Sequence, residues 1–158
     1  MFRFDPRSLS VGALALAAAL TTAFWLDRMD GSAQAAEPAA RVARADDGHY
    51  WARASIEGQP IDLMVDTGSS LVVLTRQDAE RLGYRLDEAD YSVRLSTAAG
   101  PVAAAPIRLA VVGVGSARVE RVAALVAADG LPHSLLGMSY LGRLSSFEAT
   151  PRDLTLRG

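Results

Sequence analysis

The sequence predicts an all-β barrel or sandwich with one or two short helices, preceded by one transmembrane helix. Three observations carry that reading. From His49 onward, short runs alternate apolar and polar residues, and glycine-containing turns close them. Little of this region has the spacing of an amphipathic helix. Ahead of it, Ser8 to Leu26 is a continuous uncharged and largely apolar stretch.

The N-terminal stretch, at about 1.5 Å per residue, crosses most of a ~30 Å hydrocarbon core. Arg3 and Arg7 precede it, whereas Asp27, Arg28 and Asp30 come after it. The excess of positive charge ahead of the span keeps the N-terminus cytoplasmic and exports the chain beyond Leu26. Trp25 then reads as an interfacial anchor. A cleavable signal peptide is the competing account, because Ala33-Gln34-Ala35 has the small-x-small pattern of a cleavage site. The apolar run exceeds the usual ~7–15 residues of such a leader, and Ala35 lies well downstream, so an uncleaved anchor is preferred. The expected organisation is a cytoplasmic N-terminus over 1–7, an anchor over 8–26, a tether over 27–46 and a folded domain over 47–158. The tether is alanine-rich, with Pro38 and few large apolar residues.

Within the domain, Tyr50 to Ile56 reads as a strand, Glu57-Gly58-Gln59-Pro60 as a short loop and Ile61 to Val65 as the return strand. Leu71 to Thr75 is the next strand. Thr75 can cap a helix over Arg76 to Leu82, with Asp78 three residues on and Gly83 at its end. Tyr91 to Thr97 and Pro106 to Val111 alternate, joined through the turn Ala98-Ala99-Gly100-Pro101. After Gly113-Val114-Gly115-Ser116, Ala117 to Ala127 reads as a strand on its valines, although its alanines also suit a helix. Leu135-Leu136-Gly137-Met138 precedes a short helix over Ser139 to Leu144. Ser145 to Glu148 and Leu154 to Arg157 are the last two strands. About 110 residues suffice for one modest core.

Composition removes several classes of function. With no cysteine there is no disulfide framework, cysteine metal site or thiol nucleophile. A net charge of −2 leaves no basic footprint for nucleic acid. His49 with scattered acids does not match metal-ligand spacing, so no metal and no cofactor is expected. His133, between Pro132 and Ser134, has no supporting nucleophile motif and reads as a loop histidine rather than a catalytic base. Gly113-x-Gly115 lacks the third glycine of a dinucleotide site, and Trp51 reads as a strand core residue.

The remaining chemistry lies in Asp66-Thr67-Gly68-Ser69, placed between the apolar runs Ile61–Val65 and Leu71–Leu74. A tripeptide of this kind arises by chance in roughly a few per cent of chains this long, and it is also good turn chemistry. Its strand–turn–strand setting makes it more informative, since it holds a carboxylate at the base of a cleft. Two carboxylates sharing a proton can hydrolyse a peptide bond without metal, one as base toward water and the other as acid toward the carbonyl. Asp66 has no second Asp-Thr-Gly or Asp-Ser-Gly to work with. Asp62 is too close along the same strand to face it. The pair must therefore come from two chains, which a two-fold dimer supplies.

These segments resemble the retropepsin-like, single-lobe aspartic proteases, and in particular a bacterial membrane-anchored family with an exported protease domain. The matching residues are Asp47-Gly48-His49-Tyr50-Trp51, Leu63 to Ser70, Ser96-Thr97-Ala98-Ala99-Gly100 and Ser134 to Leu141. The resemblance covers about 47–158. It implies a single-lobe acid-protease barrel acting as a homodimeric aspartic endopeptidase on peptide or protein substrates, anchored in the bacterial inner membrane with its protease domain in the periplasm. Asp66 would be catalytic. Thr67 would bond across the dimer axis, and Gly68 and Ser69 would shape the carboxylate's surroundings, Ser69 through its hydroxyl. Ser96, Thr97, Ala98, Ala99 and Gly100 would form a substrate-covering flap. Leu135, Leu136 and Gly137 would pack behind the site. The pattern departs at Ala99, where the family usually has Asn. The alternative expectation is an inactive module of the same fold serving as a periplasmic binding or assembly domain.

Overall fold

Alternation and turn chemistry explain the first hairpin. β2 (Trp51–Ile56) buries Ala52, Ala54 and Ile56, and β3 (Gln59–Val65) buries Ile61 and Leu63 against them. The joining turn is only Glu57-Gly58, with φ of 51° and 86°. Two successive left-handed residues are the geometry that a two-residue hairpin needs. The expected four-residue loop is therefore shorter, and Gln59 and Pro60 belong to the strand, opposite Ile56 and Ser55.

The computed structural model describes residues 39–97 and 100–158. The expected anchor over 8–26, the tether before residue 39, and Ala98 and Ala99 of the expected flap lie outside the described residues. No helix among the described residues is long and apolar enough to cross a membrane.

After β3 come β4 (Val72–Leu74), helix α1 (Arg76–Arg81), β5 (Val93–Thr97), β6 (Gly100–Val114), β7 (Ala117–Ala127), β8 (Leu135–Leu136), helix α2 (Met138–Leu141), β9 (Ser146–Ala149) and β10 (Asp153–Arg157). α1 is capped as its sequence indicates: Thr75 Oγ1 accepts from the Asp78 N–H at 3.1 Å. β6 is far longer than its alternating core at Pro106–Val111. Ala104 and Ala105 are buried and pair with Ala127 and Val126, but small residues leave no alternation to read. Ala117 to Ala127 is a strand, with Val119, Val122, Ala124 and Val126 inside.

The main sheet runs β2-β3-β8-β4-β7-β6-β5 and closes on itself where Ser55 and Ile56 of β2 pair with Gly113 and Val112 of β6. The barrel core gathers Ile56, Ile61, Leu63, Leu74, Leu109 and Leu136, among others. The β6–β7 ladder opens once, at Ala110 and Arg121. Arg121 takes φ 50°, and the Ala110 N–H turns to Glu57 Oε1 of the hairpin tip at 2.9 Å. A left-handed non-glycine residue costs about 1–3 kcal/mol, which the tip contact helps to offset.

A second sheet, β1-β10-β9, corrects the boundary of the folded domain. β1 (Ala40–Ala43) lies inside the segment expected to be a tether, and it pairs residue by residue with Asp153–Leu156. Four residues of Ala-Arg-Val-Ala carry too little alternation to read as a strand. Ala40 and Val42 become buried only because β10 lies alongside. The Arg44 N–H donates onward to Arg152 O at 2.8 Å, so the pairing continues past the strand end.

Candidate active site

β3 ends at Val65, and the chain turns at once. The Asp66 N–H donates to Leu136 O at 3.1 Å, fixing the loop to β8, which runs parallel to β3 through Met64↔Leu135 and Val65↔Leu136. Asp66 then organises its own turn. Its Oδ1 accepts the Gly68 N–H at 2.9 Å, and its carbonyl accepts the Ser69 N–H at 3.3 Å. A Cβ on Gly68 would sit 3.2 Å from that Oδ1, so glycine gives the carboxylate room. Asp66 is half-buried, with its carboxylate at the cleft surface.

The Ser69 hydroxyl differs from expectation. It donates to Leu71 O at 2.7 Å rather than serving the Asp66 carboxylate, because the turn brings the Leu71 carbonyl beneath it. Ser69 thus supports the loop through backbone geometry. Thr67 is exposed, and no hydrogen bond of its hydroxyl is found among the described residues.

Behind the loop, the Met138 N–H donates to Ser69 O at 2.8 Å. Gly137 lies so close that a Cβ there would stand 2.1 Å from Leu71 O and 2.7 Å from Ser69 O. No side chain fits, so the two hydrophobic residues before it must be followed by glycine. Ser139, read from the sequence only as the start of a short helix within the matched segment, completes this backing. Its hydroxyl accepts the Val72 N–H at 2.9 Å and donates to Ala123 O at 2.7 Å, tying β4, α2 and β7 together. A lone serine at a helix start gives no sign of such a bridge.

The β5–β6 hairpin forms the other side. Ser96 pairs with Pro101 and Thr97 with Gly100, whose φ is 116°. Thr97 Oγ1 donates to Gly100 O at 2.7 Å, closing the base of the turn. A cleft of about 640 Å³ brings Ser96 and Thr97 together with Asp66, Gly68, Ser69 and Leu135. Gly100, Leu136 and Gly137 do not line it; the latter two stand behind the loop. The cleft also takes in Met64, Leu95 and Leu125 and the loop Gly130–His133, which sequence reasoning did not assign to it. Alternation marks such side chains as inward-facing but does not separate those in the core from those at its open end.

Trp51 is not a core residue. It is partly exposed, its Nε1–H donates to Asp47 Oδ2 at 2.9 Å, and its ring meets His133 edge-on at 4.8 Å. His133 is an exposed loop residue as expected, but a cleft-lining one. No group of residues suited to holding a metal ion is found among the described residues.

A closed barrel in which a glycine-turn carboxylate faces a hairpin is the arrangement of a retropepsin-like, single-lobe aspartic protease. The chain belongs to the family described as gag-polyprotein putative aspartyl protease, which matches residues 52–143. It is similar to the crystal structure of a retropepsin-like aspartic protease from Rickettsia conorii, with a TM-score of 0.68 and 37% identity over 75% of this chain and 98% of that one. The EIAV protease complexed with the inhibitor HBY-793 shares the fold at a TM-score of 0.50 and 19% identity, over 75% of this chain and 97% of that one. Two curated relatives are uncharacterized proteins. The first, from the cobV 5′ region of Sinorhizobium sp, is 38% identical over 111 residues, covering 70% of this chain and 48% of that protein. The second, from Rickettsia prowazekii (strain Madrid E), is 40% identical over 106 residues, covering 67% and 46%. The chain thus spans about half the length of the curated relatives it matches.

Proposed function

We propose that this protein is an aspartic endopeptidase that works as a homodimer, each chain contributing Asp66. The observation that carries the reading is one half-buried aspartate, held by Gly68 and Leu136 at the floor of a hairpin-sided cleft, in a chain with no second motif of its kind. Two such carboxylates brought face to face cannot both ionise, so they share a proton. The ionised one takes a proton from a water as it attacks the scissile carbonyl, while the protonated one donates to the carbonyl oxygen. The tetrahedral diol then collapses: one carboxyl gives its proton to the departing amine nitrogen as the C–N bond breaks, and the other carboxylate takes the proton of a diol hydroxyl, whose oxygen becomes the new carbonyl. Exposed Thr67 is free to bond to its counterpart across the axis. The β5–β6 hairpin would close over an extended peptide and exclude water.

Anchoring belongs to the same proposal. Residues 8–26 span the bacterial inner membrane, and a shortened tether ahead of Ala40 carries the protease domain into the periplasm. Confinement to a membrane plane raises effective concentration and favours pairing.

The experiment is mass spectrometry of a denatured protein mixture incubated with the purified full chain, wild type against Asp66→Asn. Hydrolysis is expected to fall by roughly 10³-fold or more while the fold persists. Equal cleavage by both proteins would remove the reading, and no cleavage by either would favour the inactive binding module.

A further inference from the structure

Asp47-Gly48-His49-Tyr50-Trp51 is part of the family pattern, yet hydrolysis at Asp66 makes no use of it. Its residues build a brace. Asp47 accepts the His49 N–H at 2.9 Å through Oδ1 and the Trp51 Nε1–H at 2.9 Å through Oδ2. The His49 backbone donor, and after it the indole, hold the Asp47 carboxyl below its usual 3.8, so it stays charged at mildly acidic pH. The indole so fixed presents its ring to His133, with centroids 4.8 Å apart and planes at 84°.

His133 occupies a lip, Leu131-Pro132-His133, shared by the main cleft and a side cavity of about 380 Å³. The charged groups around it are few. Behind the lip stand Asp62, Arg76, Asp78 and Asp129. Asp78 is committed to Ser134 Oγ at 2.6 Å and to Arg81 at 3.1 Å, and Arg76 to Ala128 O at 2.9 Å. On the cleft side the described lining combines leucines, Met64, Val73 and Pro132 with hydroxyl residues and glycines, and its only ionisable groups are Asp66 and His133.

A carboxylate on a bound peptide would give up part of its hydration against the cleft wall and face the charge at Asp66, which disfavours it unless a cation stands beside it. His133 is the one side chain of the described lining able to carry a positive charge against it, and histidine changes charge between about pH 5 and 8. We propose that His133 is a specificity-determining residue: as imidazolium it admits a peptide carboxylate side chain into the cleft, and as neutral imidazole it continues the apolar wall and excludes that side chain. The inference rests on the protease reading for the ligand being a peptide.

The test uses the full chain in detergent carrying Asp66→Asn, so that peptides bind without being cut. Fluorescent peptide pairs with Glu or Gln at one position, scanned along the sequence, are titrated by anisotropy at pH 5.5 and 7.5. At one position Glu should bind roughly fivefold tighter than Gln at pH 5.5, the upper end for a pair open to solvent, with parity or reversal at pH 7.5. Adding His133→Gln should make the ratio insensitive to pH, and His133→Arg should carry the pH 5.5 ratio to pH 7.5. Trp51→Phe, which keeps a ring but frees it from Asp47, should reduce the pH effect. A ratio independent of pH with His133 in place, or one whose pH dependence survives His133→Gln, overturns the proposal. Failure of every peptide to bind removes it together with the substrate reading. The expected ratios with no hydrolysis by protein retaining Asp66 would remove only the protease reading.

Discussion

At the scale of single residues, contact distances decide what the site tolerates. Gly137 has no space for a methyl group, since its backbone lies against the carbonyls of Leu71 and Ser69. Gly137→Ala must therefore displace the loop that holds Asp66. We expect a loss of more than about 4 kcal/mol, or failure to fold, in denaturant titrations. Tyr140 offers a second case. It is wholly buried, its hydroxyl donates to Ala117 O at 2.9 Å, and burial pushes its pKa up to about 12. Tyr84 is also pushed to about 12, by burial first and then by its hydrogen bond to Glu57. Both pKa values exceed the unfolded value near 10, so the folded chain holds these protons longer. Their stabilising contribution is complete below about pH 10 and is lost as pH rises through about 12. Tyr140→Phe should cost about 1–2 kcal/mol at neutral pH through the orphaned carbonyl. Urea melts at pH 8 and pH 11 should show a smaller alkaline loss in the variant than in the wild type.

Elements were legible where alternation and turn chemistry agreed. The β2–β3 hairpin, the Thr75-capped helix and the β7 strand all follow from such patterns. β1 and the N-terminal part of β6 did not show themselves, because alanine contributes little contrast between faces. β1 in particular exists through its partner, since Ala40 and Val42 are buried by pairing with Leu156 and Leu154. The strand assignment makes a prediction that a tether would not. Val42→Asp places a charge against β10 and should cost several kcal/mol in a thermal or urea melt. A flexible tether would tolerate the change without a measurable shift.

For the whole molecule, the proposed dimer has a consequence independent of substrate. If each active site needs two Asp66 carboxylates, an Asp66→Asn chain poisons every wild-type chain with which it pairs. Mixing equal amounts and allowing exchange leaves about a quarter of the dimers wild type in both chains. Activity at fixed total protein should fall to about that fraction of the wild-type value. A fall to only about half would mean that single chains act alone. Dilution should also lower activity per chain, because the proposed dimer dissociates as the protomers become scarce.

By itself the sequence determined the local chemistry. It marked Asp66 as the candidate carboxylate, the glycine turn around it, the hairpin opposite, the later Leu-Leu-Gly and the absence of a second motif. These rest on residue types with strong local consequences, such as Asp in a turn, Gly at a close approach and alternating valines. Only the tertiary structure decided where Ser69 spends its hydroxyl, that Ser139 bridges three elements, that residues 40–43 are a strand, and that Trp51 and His133 meet at the rim of the cleft. Those facts depend on contacts between residues distant in the chain, 82 positions apart for Trp51 and His133. No local pattern records a distance of that kind until the barrel closes.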